Sequence, residues 1–149
     1  MSAAVLAKEP AGLEQIRALM TGASEYRGIA HLLDFKPIEV EEGFVVFEGH
    51  PTTSVYNPIG SVHGGYAATL RDSAMGCAVH TMMRPEQGYT TLELKVAYHR
   101  AMSDRSGPLR AEGKVISLGR RVAFAEGRLL DKDNKLCATA TTTCLVFDK

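Results

Sequence analysis

Residues 57–83 read NPIGSVHGGYAATLRDSAMGCAVHTMM, and this stretch decides the fold. Gly64 and Gly65 suit a helix entrance, where glycine tolerates close approach and unusual angles, and suit a helix interior poorly. The residues after them, YAATLRDSAMGCAVHTMM, predict one helix of about five turns. Ala67, Ala68, Leu70, Ala74, Met75, Ala78, Val79 and Met82 leave it apolar round most of its circumference. That pattern marks a helix covered on nearly every side rather than one lying on a surface. Asp72 sits in the middle of it, where a carboxylate is costly to bury without a partner or a task.

On the N-terminal side, GLEQIRALMTG places Leu13, Ile16, Leu19 and Met20 at helical spacing and closes on Gly22, which predicts a short amphipathic helix. A second short helical piece, GIAHLLDF, follows, so a helical extension at about residues 11–34 precedes the rest. KPIEVEEGFVVFEGHP predicts two strands turning at Glu42 and Gly43. Beyond the central helix, four segments read as strands: YTTLELKVAYHRAM, GPLRAEGKVISLG, RRVAFAEGRLLD and KLCATATTTCLVF. In the first, Leu92, Leu94, Val96 and Tyr98 alternate with Thr91, Glu93, Lys95 and Ala97, the period of a half-buried strand. Turn residues separate the four at 104–108, 119–120 and 131–134. One buried helix flanked in sequence by strands predicts an α+β fold, an antiparallel sheet curled around that helix. The whole chain, residues 1–149, is expected to be a single domain.

Seventeen basic residues balance seventeen acidic ones, so no overall field favours nucleic acid or an anionic membrane surface, and neither is expected as a partner. Any anionic ligand must be held locally. Cys77, Cys137 and Cys144 are odd in number and lack CxxC spacing, which argues against a disulfide framework and a zinc site and fits a reducing cytoplasm. Residues 1–10, MSAAVLAKEP, have no basic n-region and break their apolar run at Lys8, so they are not expected to be a signal peptide. No stretch approaches the ~18 apolar residues of a membrane helix. His31, His50, His80 and His99 show no metal-ligand spacing, and no metal is expected.

NPIGSVHGGYAATLRDSA, followed by TTLELKVAYHRAM and LGRRVAF, resembles the hotdog-fold acyl-CoA thioesterases, in particular the branch of phenylacetyl-CoA and hydroxybenzoyl-CoA thioesterases. The resemblance covers roughly residues 30–147. Its most specific parts are Asn57, five residues, then His63-Gly64-Gly65, and the acid eight residues after Gly64. It implies a sheet wrapped round the central helix, homodimers joined through their sheets with active sites between subunits, and commonly homotetramers. It implies an acyl-CoA substrate and no separate cofactor, coenzyme A being part of the substrate.

Thioester hydrolysis needs a nucleophile and donors for the oxyanion that develops. By the resemblance, the oxyanion sits against the Gly64 N–H at the helix N-terminus, and His63 adds a donor or orients that turn. Asp72 is then the general base or the nucleophile, and activated water is the preferred route. Asn57 would bind the water or the carbonyl, and Thr91 would help hold the water. Gly65, Thr69, Gly76 and His80 project broadly with Asp72 at 100° per residue, a small polar face like the floor of a cleft. Some relatives carry Thr or Ser four residues after the acid; Gly76 stands there, which puts more weight on Thr91. Arg120, Arg121 and Arg100 are the candidates for the coenzyme A phosphates.

Each residue also has a plainer role. Asp72 beside Arg71 could form a surface ion pair, His63 a helix-start hydrogen bond, and Asn57-Pro58 an ordinary turn. Thr91 is a good strand residue and Arg120-Arg121 a solvated turn. Pocket depth is expected to depend on Met75, Met82, Met83, Tyr66 and the N-terminal helices. Two other functions stay open: a hydratase or dehydratase on the same fold, and a non-catalytic acyl-CoA binding module. The first meets no DxNPxH-type pattern, and the second leaves Asp72 without a task.

Overall fold

The computed structural model describes residues 11–149; the reading of residues 1–10 lies outside the described residues. α1 (Gly12–Thr21) and α2 (Ile29–Leu32) lead into β1 (Phe35–Glu41) and β2 (Phe44–Gly49). α3 (Gly64–His80) follows, then β3 (Gln87–Tyr98), β4 (Leu109–Leu118), β5 (Val122–Leu130) and β6 (Leu136–Asp148). The six strands form one antiparallel sheet in the order β1-β2-β4-β5-β6-β3, and α3 packs on it. This is the α+β arrangement that the buried helix predicts and that the hotdog resemblance implies. The β1–β2 turn falls at Gly43, whose φ of 76° is a conformation that glycine adopts without steric cost. α1 ends on Gly22, φ 75°, for the same reason.

α3 begins two residues earlier than expected, because both glycines are helical, and stops at His80. Met82 and Met83 therefore lie beyond it. Thr81 ends the helix: its hydroxyl donates to the Ala78 carbonyl at 2.6 Å and accepts from the Gly43 N–H at 2.8 Å. The C-terminus of α3 is thus pinned to the β1–β2 turn. Tyr66, Ala67, Leu70, Ala74, Met75, Ala78 and Val79 are buried along it, as an all-round apolar helix requires.

Two glycines set how closely α3 lies on the sheet. A Cβ at Gly113 of β4 would stand 2.3 Å from the backbone carbonyl carbon and oxygen of Ala74. A Cβ at Gly127 of β5 would meet the Met75 side chain at 3.2 Å and the Glu112 carbonyl at 3.0 Å. Helix backbone rests on strand backbone at the first point and on a flexible side chain at the second.

β3 departs from the simple alternation. Its pairing with β6 shifts between Thr91 and Glu93, so Leu92 is an extra residue and the strand changes faces there. Leu94 and Val96 pack inward as expected, whereas Leu92 is 57% exposed. Ahead of the bulge the inward residues are Tyr89 and Thr91.

Gly113→Ala should destabilise the protein by about 2–3 kcal/mol or more, because backbone cannot yield to the added methyl. Gly127→Ala should cost less, since Met75 can move. Urea unfolding midpoints of the two variants check the order.

Candidate active site

The start of α3 is built by hydrogen bonds from outside the helix. Val62 N–H donates to the Met102 carbonyl at 2.9 Å and His63 N–H to the Val55 carbonyl at 2.8 Å. His63 is the N-cap, and its Nδ1 accepts from the Gly65 N–H at 2.8 Å. One of the helix's free donors is thereby used, and His63 takes the plainer of its two roles. The Gly64 N–H has no partner among the described residues. Gly64 lines a cavity of about 440 Å³ with Val62, Tyr98, Arg100 and Met102. The Tyr98 hydroxyl donates to the Gly64 carbonyl, fixing the plane of the first turn. This N–H stands at the positive end of a 17-residue helix, where partial positive charge favours an anionic oxygen.

Asn57 organises its own turn. Its Oδ1 accepts from the N–H groups of Ile59 at 3.1 Å and Ser61 at 3.2 Å, and its Nδ2 donates to the Ser61 hydroxyl at 3.0 Å. Only the second Nδ2 hydrogen is left for anything else.

Asp72 faces the other way. Thr91 donates its hydroxyl to Asp72 Oδ1 at 3.2 Å, which leaves Oδ2 open. The β3 bulge makes this contact possible by turning Thr91 inward. Asp72, Thr91, Gly76, Ser73, Cys77, His80 and Tyr89 line one cavity of about 720 Å³, closed by Ile16 and Leu19 of α1, Ile29 of α2, and Phe35 and Phe47. Gly76 and His80 thus share the floor with Asp72 as expected. Gly65 and Thr69 do not: the Thr69 hydroxyl donates back to the Gly65 carbonyl at 2.8 Å. Burial, with Asp72 beside it, pushes the Cys77 thiol up to about 12, so it remains a thiol at neutral pH. The N-terminal helices line the cavity as expected. Met75, Met83 and Tyr66 do not, being core residues, because their positions on or after α3 point them at the sheet or β1–β2.

Arg71 was not foreseen as a core residue. It does not pair with Asp72, whose side chain leaves the helix 100° further round. It is 0% exposed, its guanidinium carbon lies 5.3 Å from the centre of the Tyr98 ring, and Nε, Nη1 and Nη2 have no hydrogen-bond partner among the described residues. Burial lowers its affinity for the proton, partly offset by Tyr98. The cation–π contact offsets only part of the desolvation cost.

The arginine candidates separate. Arg100 lies at the Gly64 cavity, with Nε 4.0 Å from an Asp131 carboxylate oxygen. Arg120 and Arg121 line a different groove, of about 850 Å³, together with Arg84, Gln87 and Met82. Arg84 is a third cation that sequence alone did not group with them. Among the described residues no three His, Cys, Asp or Glu side chains come together in a way that could hold a metal ion.

A helix-end N–H and a threonine-held carboxylate thus lie on one buried helix. A model of the thioesterase superfamily matches residues 59–138, more than half of the chain and all of α3. The chain belongs to the thioesterase superfamily. It is 26% identical over 122 residues to a 1,4-dihydroxy-2-naphthoyl-CoA hydrolase of Listeria monocytogenes, covering 82% of this chain and 98% of that one. A Saccharolobus solfataricus protein matches at 34% identity over 88 residues, 59% of this chain and 57% of that one. Among solved structures, a phenylacetic acid degradation-related protein of Ralstonia eutropha JMP134 superposes with a TM-score of 0.78 at 26% identity, over 87% of this chain and 98% of that one.

For this thioesterase-superfamily chain, three side chains escaped the sequence reading. Tyr98 sits on the inward alternation of β3, but nothing in its spacing reveals a bond to Gly64. Tyr89 precedes the bulge, which no composition signal marks. Arg71 looks like a surface residue in any helical projection that ignores the sheet on its side.

Arg71→Met should raise the melting temperature by a few degrees, about 1 kcal/mol or more, because an unpaired buried cation gives way to an apolar chain of similar length. Thermal denaturation at pH 7 checks it.

Proposed function

We propose that the protein hydrolyses an aryl- or medium-chain acyl-CoA thioester to the free acid and coenzyme A, with Asp72 as the base that activates water. The observation that carries this is the Thr91–Asp72 pair opening into a roomy, largely apolar cavity, of a volume usual for small-molecule sites. Water attacks the thioester carbonyl carbon while Asp72 Oδ2 takes its proton. The carbonyl oxygen becomes an oxyanion held by the Gly64 N–H. Collapse breaks the carbon–sulfur bond, and the leaving thiolate recovers the proton from Asp72.

Asp72 and Gly64 of one chain cannot serve the same carbonyl. Eight residues of helix place them about 12 Å apart along the axis, and they open into different cavities. A complete site therefore takes Gly64 from one copy and Asp72 from another. β3 offers the means: it is a 12-residue edge strand with one side unpaired. Two copies joined along β3 make one continuous sheet and bring their α3 helices side by side, giving two equivalent composite sites. Pairs of such dimers would form the tetramer. The groove of Arg84, Arg120 and Arg121 supplies cations suited to the coenzyme A phosphates.

Purified protein should release free thiol from at least one aryl- or medium-chain acyl-CoA. Asp72→Asn should lower kcat at least ~10²-fold with ligand affinity within a few fold, because the amide keeps the shape and loses the basicity. A silent panel, or an Asp72→Asn variant with normal turnover, would refute the reading.

Subunit sharing has its own test. Proline is tolerated at the first helical position and lacks the N–H, so Gly64→Pro should abolish turnover with α3 intact provided Tyr98, 3.0 Å from a Cβ there, shifts aside, which far-ultraviolet circular dichroism and the melting temperature check. Refolding Gly64→Pro together with Asp72→Asn should restore about a quarter of wild-type sites, since random pairing gives half mixed dimers with one intact site each. If chains exchange and no activity returns, the two residues do not share a site.

A further inference from the structure

Tyr89 and Thr91 are two residues apart on β3 and lie on the same side of the strand, facing α3. Thr91 meets Asp72, and Tyr89 meets Gly76 one helical turn further on. The two spacings match, at about 6.6 Å for two strand residues and about 6 Å for four helical ones. The absent side chain at Gly76 lets the phenol reach the helix: a Cβ there would lie 3.0 Å from Tyr89 Oη. The ring is held edge-on by His80, with centroids 5.6 Å apart, and His80 Nε2 is itself 2.6 Å from Gln15 Oε1. Tyr89 Oη has no hydrogen-bond partner among the described residues, and it opens into the cavity that holds Asp72. Burial pushes the phenol well above its ordinary value, and Cys77, Cys144 and Asp72 add to the effect, so its proton stays in place at neutral pH. A half-buried donor with nothing to donate to needs a polar atom from outside the chain.

We propose that Tyr89 is a catalytic residue whose hydroxyl donates to the water that Asp72 activates. The proposal rests on the thioesterase reading above. Side chains one helical turn apart are separated by about 5–6 Å, a gap that one water spans with two hydrogen bonds of about 2.8 Å each. The water gives a proton to Asp72 Oδ2, accepts from Tyr89 Oη with one lone pair, and keeps the other for the carbonyl carbon. Tyr89 keeps its proton throughout. Its bond makes the water slightly less basic, and what it contributes is orientation.

The test moves the hydroxyl from strand to helix. Tyr89→Phe should lower kcat at least about tenfold with KM within about threefold and an unchanged melting temperature, the pattern of a group acting in the transition state. Adding Gly76→Ser brings a hydroxyl from the helix toward the place Oη occupied and should recover at least about fivefold in kcat, while Gly76→Ala in the same background recovers nothing. Recovery by serine alone supports the proposal. It is overturned if Tyr89→Phe holds kcat within about twofold of wild type, if alanine restores as much as serine, or if neither restores turnover. An enzyme inactivated by Asp72→Asn but untouched by Tyr89→Phe loses only this proposal; a wild type silent on the acyl-CoA panel loses both.

Discussion

α3 lies so close to β4 that there is no room for a side chain between them, and the rest of the structure follows from that contact. At Gly113 a single methyl would overlap the Ala74 peptide. A helix held at that distance can neither roll nor slide without striking the strand, so the direction of every side chain along it is fixed. Leu70, Ala74, Ala78 and Val79 fill the space under the sheet, and Asp72, one position from the buried row, is left to face the cavity beside α1 and α2. The same constraint fixes which way the start and the middle of α3 face, so that Gly64 lines one cavity and Asp72 another.

Around Asp72 the chain trades regularity for placement. An uninterrupted alternation on β3 would put Thr91 on the outside with Glu93. The extra residue at Leu92 reverses the faces, so that Tyr89 and Thr91 look at α3 and Leu94 and Val96 still reach the core. The exposed Leu92 is the cost of the bulge. Bulges beside active sites commonly re-aim a side chain in this way. Electrostatics then sort the neighbours by role. Cys77 and Tyr89 keep their protons, and His80 is held below its ordinary value by burial and by Lys149.

Arg71 is the opposite case, a charge buried at a net cost. It stacks on Tyr98, whose hydroxyl holds the Gly64 carbonyl, so this buried charge touches the residue that steadies the first turn of α3. Stability given up at such a place is what stability–activity trade-offs look like in a static structure.

Residues 57–83 by themselves determined the buried helix, its glycine entrance and the out-of-place Asp72, and with TTLELKVAYHRAM and LGRRVAF they carried the family resemblance, because periodicity and a fixed ordered motif are local properties of the chain. The strands and most of their limits were legible for the same reason, each strand being bounded by its own turn residues, whereas their order in the sheet, with β3 at the edge beside β6, was not, because pairing joins segments far apart in the chain. The face that Thr91 presents was not, because a bulge depends on the register with β6 and not on the residues of β3. The burial of Arg71, the bond from Tyr98 to Gly64 and the meeting of Tyr89 with Gly76 were not legible either, since each joins residues brought together only when the sheet closes over α3. That Gly64 and Asp72 open into different cavities was decided by tertiary structure as well: sequence gives their spacing, and only the packed helix shows which wall each one faces.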